Sequence, residues 1–381
     1  MSFTVSVSLS IEMEFSLHIM ALFYCGVWNE NIKYPLLYIV YKIIVLSIVC
    51  LFSISLFTEC IRNYGSNDDN SIQGLFIAVP FFAAVLKLII FYLFPKKVKK
   101  LIKLFKAKIC QPNSDEEWII WNAYKKSVDS MFWIIFIFTL LSGSALLILP
   151  LIDGELRNFI LPFKTYQPFE IINFKLYILT YLWQILASFY GILFNVTSDT
   201  FAYGTITLLC GQYDIYCLRL SKIGNETKCY SIKYYVDHYS IIQKFIWYAQ
   251  DFFMMGITPL FCFSLITLAA TILNVVQVNL FSAKFVTMLI FLLCMLTQIF
   301  LYCWFGNFLI DKSQEVTNII YNCNWIDLTN VEKKSLKFLM QFSGKGNVFS
   351  YHGQCILNLN TFVWIVKASY TALNVLKRSA N

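Results

Sequence analysis

Seven long apolar stretches alternate with more polar segments along this chain of 381 residues. Each stretch approaches the roughly 20 residues that an α-helix needs to cross a hydrocarbon core about 30 Å thick. We therefore predict an all-α membrane protein whose residues 1–381 form a single domain of seven transmembrane helices. The predicted spans are 36–57, 72–94, 131–152, 176–199, 256–278, 285–305 and 357–376.

A shorter apolar stretch, residues 15–28, precedes the first span. It is too short to cross a bilayer. It follows Glu12 and Glu14 instead of basic residues and lacks a small-residue cleavage site, so a signal peptide is not predicted. We expect an interfacial or re-entrant helix that packs on the bundle.

The composition supports a membrane protein, and the motifs of an enzyme are missing. Hydrophobic residues make up 58% of the chain and charged residues 14%, against about 25% charged in an average soluble domain. The sequence shows no paired carboxylates within a span, no His–Cys site and no phosphate-binding loop, so we predict no catalytic residues and no cofactor. A disulfide framework or metal site is also not expected, because several cysteines lie in or beside apolar runs, namely Cys50, Cys210, Cys262, Cys294 and Cys303.

The distribution of Lys and Arg predicts the orientation in the membrane. Twenty of these residues fall in the N-terminal segment and the second, fourth and sixth loops, against seven in the alternate segments. Positive charge concentrates on the cytoplasmic side, so we predict a cytoplasmic N-terminus and an extracellular C-terminus. This orientation is opposite to that of a G-protein-coupled receptor, and the Asp/Glu-Arg-Tyr and Asn-Pro-x-x-Tyr motifs of those receptors are missing too.

Lysines within the spans require either a partner or access to water. Lys42 and Lys87 lie near the predicted cytoplasmic ends, so we expect both to extend their ammonium groups to the interface. Lys367 lies deeper, in the least apolar span. Either it reaches the vestibule of a pore, or that helix is broken. The polar residues of the seventh span are equally compatible with a pore lining and with a buried, hydrogen-bonded helix.

Cytosolic segments are predicted to extend the bundle. Residues 96–108 have the spacing of a basic amphipathic helix, which fits either a solvated extension or a lipid- or calmodulin-binding segment. Ser114 to Glu117 has the pattern of a helix-capping box. Residues 201–250 and 306–350 remain apolar and aromatic, so we expect them to pack within or between subunits as a cytosolic anchor. Within it, the predicted subunit-anchor residues are Tyr321, Trp325 and Phe338.

The C-terminal third resembles the insect odorant-receptor family. The resemblance lies in the order and spacing of Tyr302–Asn307, Ser313, Glu315, Val316, Ile320–Trp325, Lys333–Gln341, Leu357–Phe362 and Val366–Tyr370. Gly26 and Trp28 also resemble an element that precedes the family's first span. Ser369-Tyr370 is not followed by the Gln-Phe that ends the gustatory motif, and the fourth loop lacks the insertion of the shared co-receptor.

This resemblance implies a ligand-specific subunit of an odorant-gated, nonselective cation channel. The implied partners are an odorant co-receptor subunit in a heterotetramer, a small volatile ligand and the lipid membrane, with no nucleic acid. The implied location is the plasma membrane of a sensory-neuron dendrite. A gustatory-type channel subunit and a secondary transporter are the alternatives, although the two similar halves of an inverted-repeat transporter are not evident.

Family resemblance also implies a pocket among spans two, three, four and six, open toward the outside. The outer halves of these spans contain the predicted ligand-binding residues Ala78, Phe81, Phe82, Phe138, Ser142, Leu146, Tyr181, Gln184, Ile185, Met288 and Leu292. We expect no ionisable group in this pocket, so a neutral volatile is favoured. Its hydroxyl, ester or carbonyl group would lie near Ser142, Tyr181 or Gln184.

The resemblance further implies that the seventh span lines the pore and narrows it at an apolar residue one turn after Tyr370. That residue is Leu373, and the accompanying pore residues are Ser369, Asn374 and Lys377. A ring of apolar side chains can stop ions by excluding water. The alternative is that Leu373 packs on span five or six.

Overall fold

The computed structural model describes residues 15–28, 34–62, 70–152, 159–169, 173–224, 231–278, 282–326, 328–351, 353 and 355–380. These residues form α1 (Ser16–Tyr24), α2 (Pro35–Arg62), α3 (Asn70–Leu93), α4 (Pro95–Phe105), α5 (Asp115–Ile152), α6 (Phe174–Ser221), α7 (Ile232–Gln277), α8 (Ala283–Asn322), α9 (Asn330–Ser343) and α10 (Leu359–Ala380). A 3₁₀ turn occupies Lys108–Cys110, and strands β1 (Ser350–Tyr351) and β2 (Cys355–Ile356) form an antiparallel pair.

The all-α membrane class is confirmed. Among the described residues, six helices are long and apolar enough to cross a membrane: Pro35–Arg62, Gly74–Leu93, Asp115–Ile148, Phe174–Ser221, Ile232–Val276 and Ala283–Asn322. The seventh predicted span, except its first two residues, lies in α10, which has 22 residues and is more polar. Because α10 is one continuous helix, a break beside Lys367 is not observed. The Lys367 side chain is exposed in the single chain.

Three helices are much longer than a membrane crossing. α6, α7 and α8 contain 48, 46 and 40 residues, against roughly 20 needed to span. Residues 201–217 of α6 are almost completely buried, with Phe201, Ile206 and Tyr213 inaccessible to solvent. The apolar continuation of α6 therefore packs inside the subunit, against α5, α7 and α8.

The short apolar stretch before the first span forms α1, which packs on the bundle as predicted. His18, Ile19 and Leu22 are buried, and the helix lies against α6. Gly26 lies two residues after the end of α1 and has a φ of +76°. A Cβ at this position would lie 3.1 Å from the Cα of Lys42. Both the backbone conformation and the close approach therefore require glycine.

Two elements outside the predicted spans follow their sequence signatures. α4 is amphipathic, with Val98, Leu101 and Phe105 buried, and it packs on α7. α5 begins directly after Ser114, whose hydroxyl accepts a hydrogen bond from the Glu117 backbone N–H at 3.3 Å. The Glu117 carboxylate accepts in turn from the backbone N–H of Asn113 at 2.7 Å, one residue before the cap.

Candidate functional site

A cavity of about 130 Å³ lies among α3, α5, α6 and α8, and we call it the main cavity. Its walls are mostly apolar and include Phe81, Phe138, Leu146 and Phe291. Cavities of about this size, when apolar, can hold a small ring compound. The main cavity is therefore suited to a compact apolar molecule.

Small residues bring the helices together around the main cavity. A Cβ on Gly191 of α6 would lie 2.6 Å from the ring of Phe81 on α3. A Cβ on Gly143 of α5 would collide with the side chain of Ile192 on α6. The glycines thus allow these two side chains to fill the space between neighbouring helices, which shapes the cavity wall.

One end of the main cavity is polar, and we call this end the floor. Asn195 and Asp199 of α6 and Gln298 of α8 line it. Asp199 Oδ1 lies 2.5 Å from Lys87 Nζ and accepts a hydrogen bond from the Tyr302 hydroxyl at 2.6 Å. Gln298 Nε2 donates to Asp199 Oδ2, and Lys87 Nζ also donates to Asn195 Oδ1 at 2.9 Å. A buried ion pair between α3 and α6 is therefore joined to α8 by hydrogen bonds.

This network corrects two predictions. Lys87 is only 4% exposed, so the prediction that its ammonium group extends to the interface is wrong, because Asp199 provides a buried counter-ion on the neighbouring helix. The expectation that the pocket contains no ionisable group is also wrong, because Asp199 lines the main cavity. The sequence signal for this cluster is the i, i+4 spacing of Asn195 and Asp199, which places both on one helix face.

Four of the predicted ligand-binding residues line the main cavity: Phe81, Phe138, Ser142 and Leu146. Two others lie close to it without lining it. Ala78 is buried in an adjoining apolar cluster with Phe52 and Ala187. The Phe82 ring packs between the rings of Phe57 and Phe263.

The remaining predicted ligand-binding residues lie elsewhere. The Tyr181 hydroxyl donates to the Leu147 carbonyl at 2.6 Å. The Gln184 amide donates to the Phe163 carbonyl at 3.0 Å and is fully buried. Met288 packs in a separate cluster, whereas Ile185 and Leu292 are half-buried outside the lining.

The predicted pore and anchor residues have different surroundings. Ser369 is buried, and its hydroxyl donates to the Ile365 carbonyl at 2.8 Å. The side chains of Leu373, Asn374 and Lys377 lie outside the described residues, although all three belong to α10. The predicted anchor side chains are exposed in the single chain, at 67% for Tyr321, 48% for Trp325 and 54% for Phe338.

A second buried polar cluster lies outside the predicted spans. Arg219 of α6 forms two hydrogen bonds with the Glu117 carboxylate, at 2.9 and 2.7 Å. Burial raises the pKa of Glu117, but the hydrogen bonds from Arg219 and Asn113 outweigh it and leave this pKa below its usual value. Burial, together with the nearby Arg219 charge, lowers the pKa of His238 to about 3, so this imidazole is neutral.

A family model described as 7tm Odorant receptor matches residues 69–370. The chain belongs to this odorant receptor family. Membership confirms the resemblance seen in the C-terminal third and the prediction that the chain is not an enzyme.

Individual relatives support the same assignment. Odorant receptor 94a of Drosophila melanogaster is 24% identical over 333 residues, which is 83% of each chain. Odorant receptor 46a, isoform B, from the same organism is 25% identical over 256 residues, which is 64% of this chain. The chain spans 65% of the length of that isoform and 59% of isoform A.

A solved structure shares the fold. The insect olfactory receptor OR5 from Machilis hrabei superposes with a TM-score of 0.84 at 11% identity, over 97% of this chain and 98% of OR5. OR5 in complex with eugenol gives a TM-score of 0.83 at 10% identity, over 98% and 99% of the two chains. At this identity, the similarity establishes the fold.

Proposed function

We propose that this odorant receptor is a ligand-specific subunit of a nonselective cation channel. A small neutral volatile binds in the main cavity and opens a central pore lined by α10. The observation that carries the proposal is a compact, mostly apolar cavity among α3, α5, α6 and α8 in a chain of this family. The eugenol complex of OR5, which has the same fold, supports a small organic ligand.

The size of the ligand sets the expected affinity. Burial of about 250 Å² of apolar ligand surface at about 25 cal/mol/Å² yields roughly 6 kcal/mol before ordering costs are subtracted. A net value below this corresponds to a dissociation constant of tens of micromolar or weaker, since about 8.2 kcal/mol is needed for 1 μM. We therefore expect responses only at micromolar concentrations and above.

The proposed partner is an odorant co-receptor, in a heterotetramer at the plasma membrane of a sensory-neuron dendrite. Current recording with a panel of volatiles tests the proposal in cells that express this chain, the co-receptor or both. We expect ligand-evoked cation current only with both subunits, or a much smaller current with either alone. Ligand-driven uptake without channel current would favour a transporter, and responses restricted to nonvolatile tastants would favour a gustatory-type subunit.

We predict a cytoplasmic N-terminus and an extracellular C-terminus. Lys and Arg concentrate in the segments that are predicted to lie on the same side of the membrane as the N-terminus. Epitope tags at the two ends, stained on intact and on permeabilised cells, measure the sidedness. The C-terminal tag should be labelled on intact cells and the N-terminal tag only after permeabilisation. Labelling of the N-terminal tag on intact cells would contradict the proposed orientation.

We predict that Trp325→Asp reduces surface delivery of the complex several-fold. Trp325 is 48% exposed and Tyr321 is 67% exposed, which leaves aromatic surface for a neighbouring subunit. Surface biotinylation and co-purification with the co-receptor measure the effect, with Trp325→Phe as the matched control. Normal co-purification and unchanged current for Trp325→Asp would show that this surface does not hold subunits together.

A further inference from the structure

The two oxygens of Asp199 face different sides of the floor. Oδ1 accepts from Lys87 and Tyr302, and both of these residues line a second, smaller cavity on the side of α7. Oδ2 accepts from Gln298, which lines the main cavity together with Asp199 itself. Oδ2 is therefore the oxygen on the side of the main cavity.

Asp199 can accept one more hydrogen bond. A carboxylate offers about four acceptor positions, and three donors reach Asp199 from the described residues, namely Lys87, Tyr302 and Gln298. Since two of these donors use Oδ1, the remaining position is on Oδ2. Asn195 lies one helical turn away on the same face of α6 and also lines the main cavity, and its amide NH₂ group is a donor.

We propose, on the basis of the proposed function, that the main cavity selects volatiles with a neutral hydroxyl group, which are alcohols and phenols. The hydroxyl donates to Asp199 Oδ2 and accepts from the Asn195 amide, while the carbon skeleton lies among Phe81, Phe138 and Leu146. A hydroxyl is suited to this pair because it is both a donor and an acceptor. Ethers, esters and ketones only accept, so they leave Oδ2 without the added hydrogen bond.

The charges of the floor disfavour ligands whose polar group is ionised. Lys87 already neutralises Asp199, so a protonated amine would add an uncompensated positive charge to a buried site. An ionised carboxylic acid would place a second anion beside Asp199, with Lys87 on the far side of the carboxylate. A neutral hydroxyl forms a charge-assisted hydrogen bond with Asp199 and brings no charge of its own.

Isomeric pairs test this selectivity without a change in size. The probes are 1-heptanol against methyl hexyl ether, and 4-ethylphenol against 4-methylanisole. The full chain, co-assembled with the co-receptor, is assayed for ligand-evoked current and for ligand-dependent thermal stabilisation, with the co-receptor alone as the baseline. We expect the hydroxyl isomer of each pair to be at least about tenfold more potent, equivalent to about 1.4 kcal/mol.

A paired variant locates the preference at the floor. Lys87→Met combined with Asp199→Asn removes both charges together, so neither is left buried without its partner. We expect the hydroxyl preference to fall to about threefold or less, with the ether isomer binding as in the wild type. Ser198→Ala is the matched control, because Ser198 neighbours Asp199 on α6 but lines only the smaller cavity. Its hydroxyl preference should remain at the wild-type value.

The two readouts separate this proposal from the proposed function. Hydroxyl-selective stabilisation without current supports the selectivity and contradicts channel gating. Current or stabilisation with equal potency for both isomers overturns the selectivity and leaves channel function standing. If neither 1-heptanol nor 4-ethylphenol stabilises the protein at about 1 mM, the proposed selectivity is overturned as well. A tenfold preference that persists in the paired variant, when that variant reaches the surface, also overturns the assignment to Asp199.

Discussion

Glu117→Gln is expected to lower the free energy of unfolding by roughly 3–5 kcal/mol, because it removes the negative charge held against a buried arginine. Arg219 and Glu117 have side chains only 2% and 7% exposed, and Arg219 Nη2 lies 2.7 Å from Glu117 Oε2. The Arg219 guanidinium also donates to the carbonyls of Ile109 and Gln111, in the segment that precedes α5. Loss of its counter-ion therefore affects the whole junction between this segment, α5 and α6. Thermal denaturation of the purified chain in detergent measures the effect.

Glu116→Gln is the matched control for this prediction. Glu116 is the neighbouring residue and also forms an ion pair, with Lys222 at 3.0 Å, but the Glu116 side chain is 64% exposed. Exposed pairs contribute at most about 1 kcal/mol, so this variant should remain close to wild type. Equal melting temperatures for the Glu117 and Glu116 variants would contradict a stabilising role for the buried pair.

The same pair predicts how stability depends on pH. The folded-state pKa of Glu117 lies below its usual value, because the hydrogen bonds from Arg219 and Asn113 outweigh the effect of burial. Its contribution is therefore fully present above the unfolded pKa of about 4.3 and is lost as the pH falls through the folded-state value. The difference in melting temperature between the wild type and Glu117→Gln should become smaller as the pH falls from 7 to 3.

Leu373→Ser is expected to raise the ligand-free current several-fold when this chain is co-expressed with the co-receptor. In the proposed channel, Leu373 belongs to an apolar ring that stops ions by excluding water, and a hydroxyl at this position favours a water-filled pore. α10 is continuous over Leu359–Ala380, so residue 373 lies one turn beyond Tyr370 on an unbroken helix. Whole-cell current before ligand addition, normalised to surface expression, measures the change.

Ala372→Ser controls for the introduction of a hydroxyl into α10. Ala372 lines a groove between α7 and α10, and its position differs from that of residue 373 by about 100° around the helix. This variant should retain the wild-type basal current. If Leu373→Ser also retained the wild-type basal current, ion selectivity and block, residue 373 would face away from the pore.

The fold class could be predicted from sequence because lipid imposes a strong physical constraint. A chain that crosses a bilayer must satisfy its backbone hydrogen bonds internally, so runs of about 20 apolar residues are predicted to be helices. The capping pattern at Ser114 to Glu117 and the amphipathic spacing of residues 96–108 are local signals, and both appear in the structure. α10 is more polar than the other predicted spans, and its length and family resemblance suggested it as a span.

The candidate site was only partly predictable because it depends on how the helices rotate against each other. The sequence places Phe81 and Phe82 side by side, but only the packed bundle shows that Phe81 lines the cavity and Phe82 packs against Phe57 and Phe263. Lys87 and Asp199 are 112 residues apart, and Lys87 lies close enough to a predicted span end to be assigned to the interface. Their pairing is a tertiary contact without a local signature.

Phe81→Ala and Phe82→Ala together provide the most direct test that a volatile bound in the main cavity opens the channel. The two residues are identical and adjacent on α3, but only Phe81 lines the cavity. Dose–response curves for 1-heptanol are recorded from each variant with the co-receptor at equal surface expression. We expect at least about a tenfold increase in half-maximal concentration for Phe81→Ala, from the loss of about 1.4 kcal/mol or more of contact, and a change below about threefold for Phe82→Ala. An unchanged curve for Phe81→Ala, with a large shift for Phe82→Ala, would contradict this expectation.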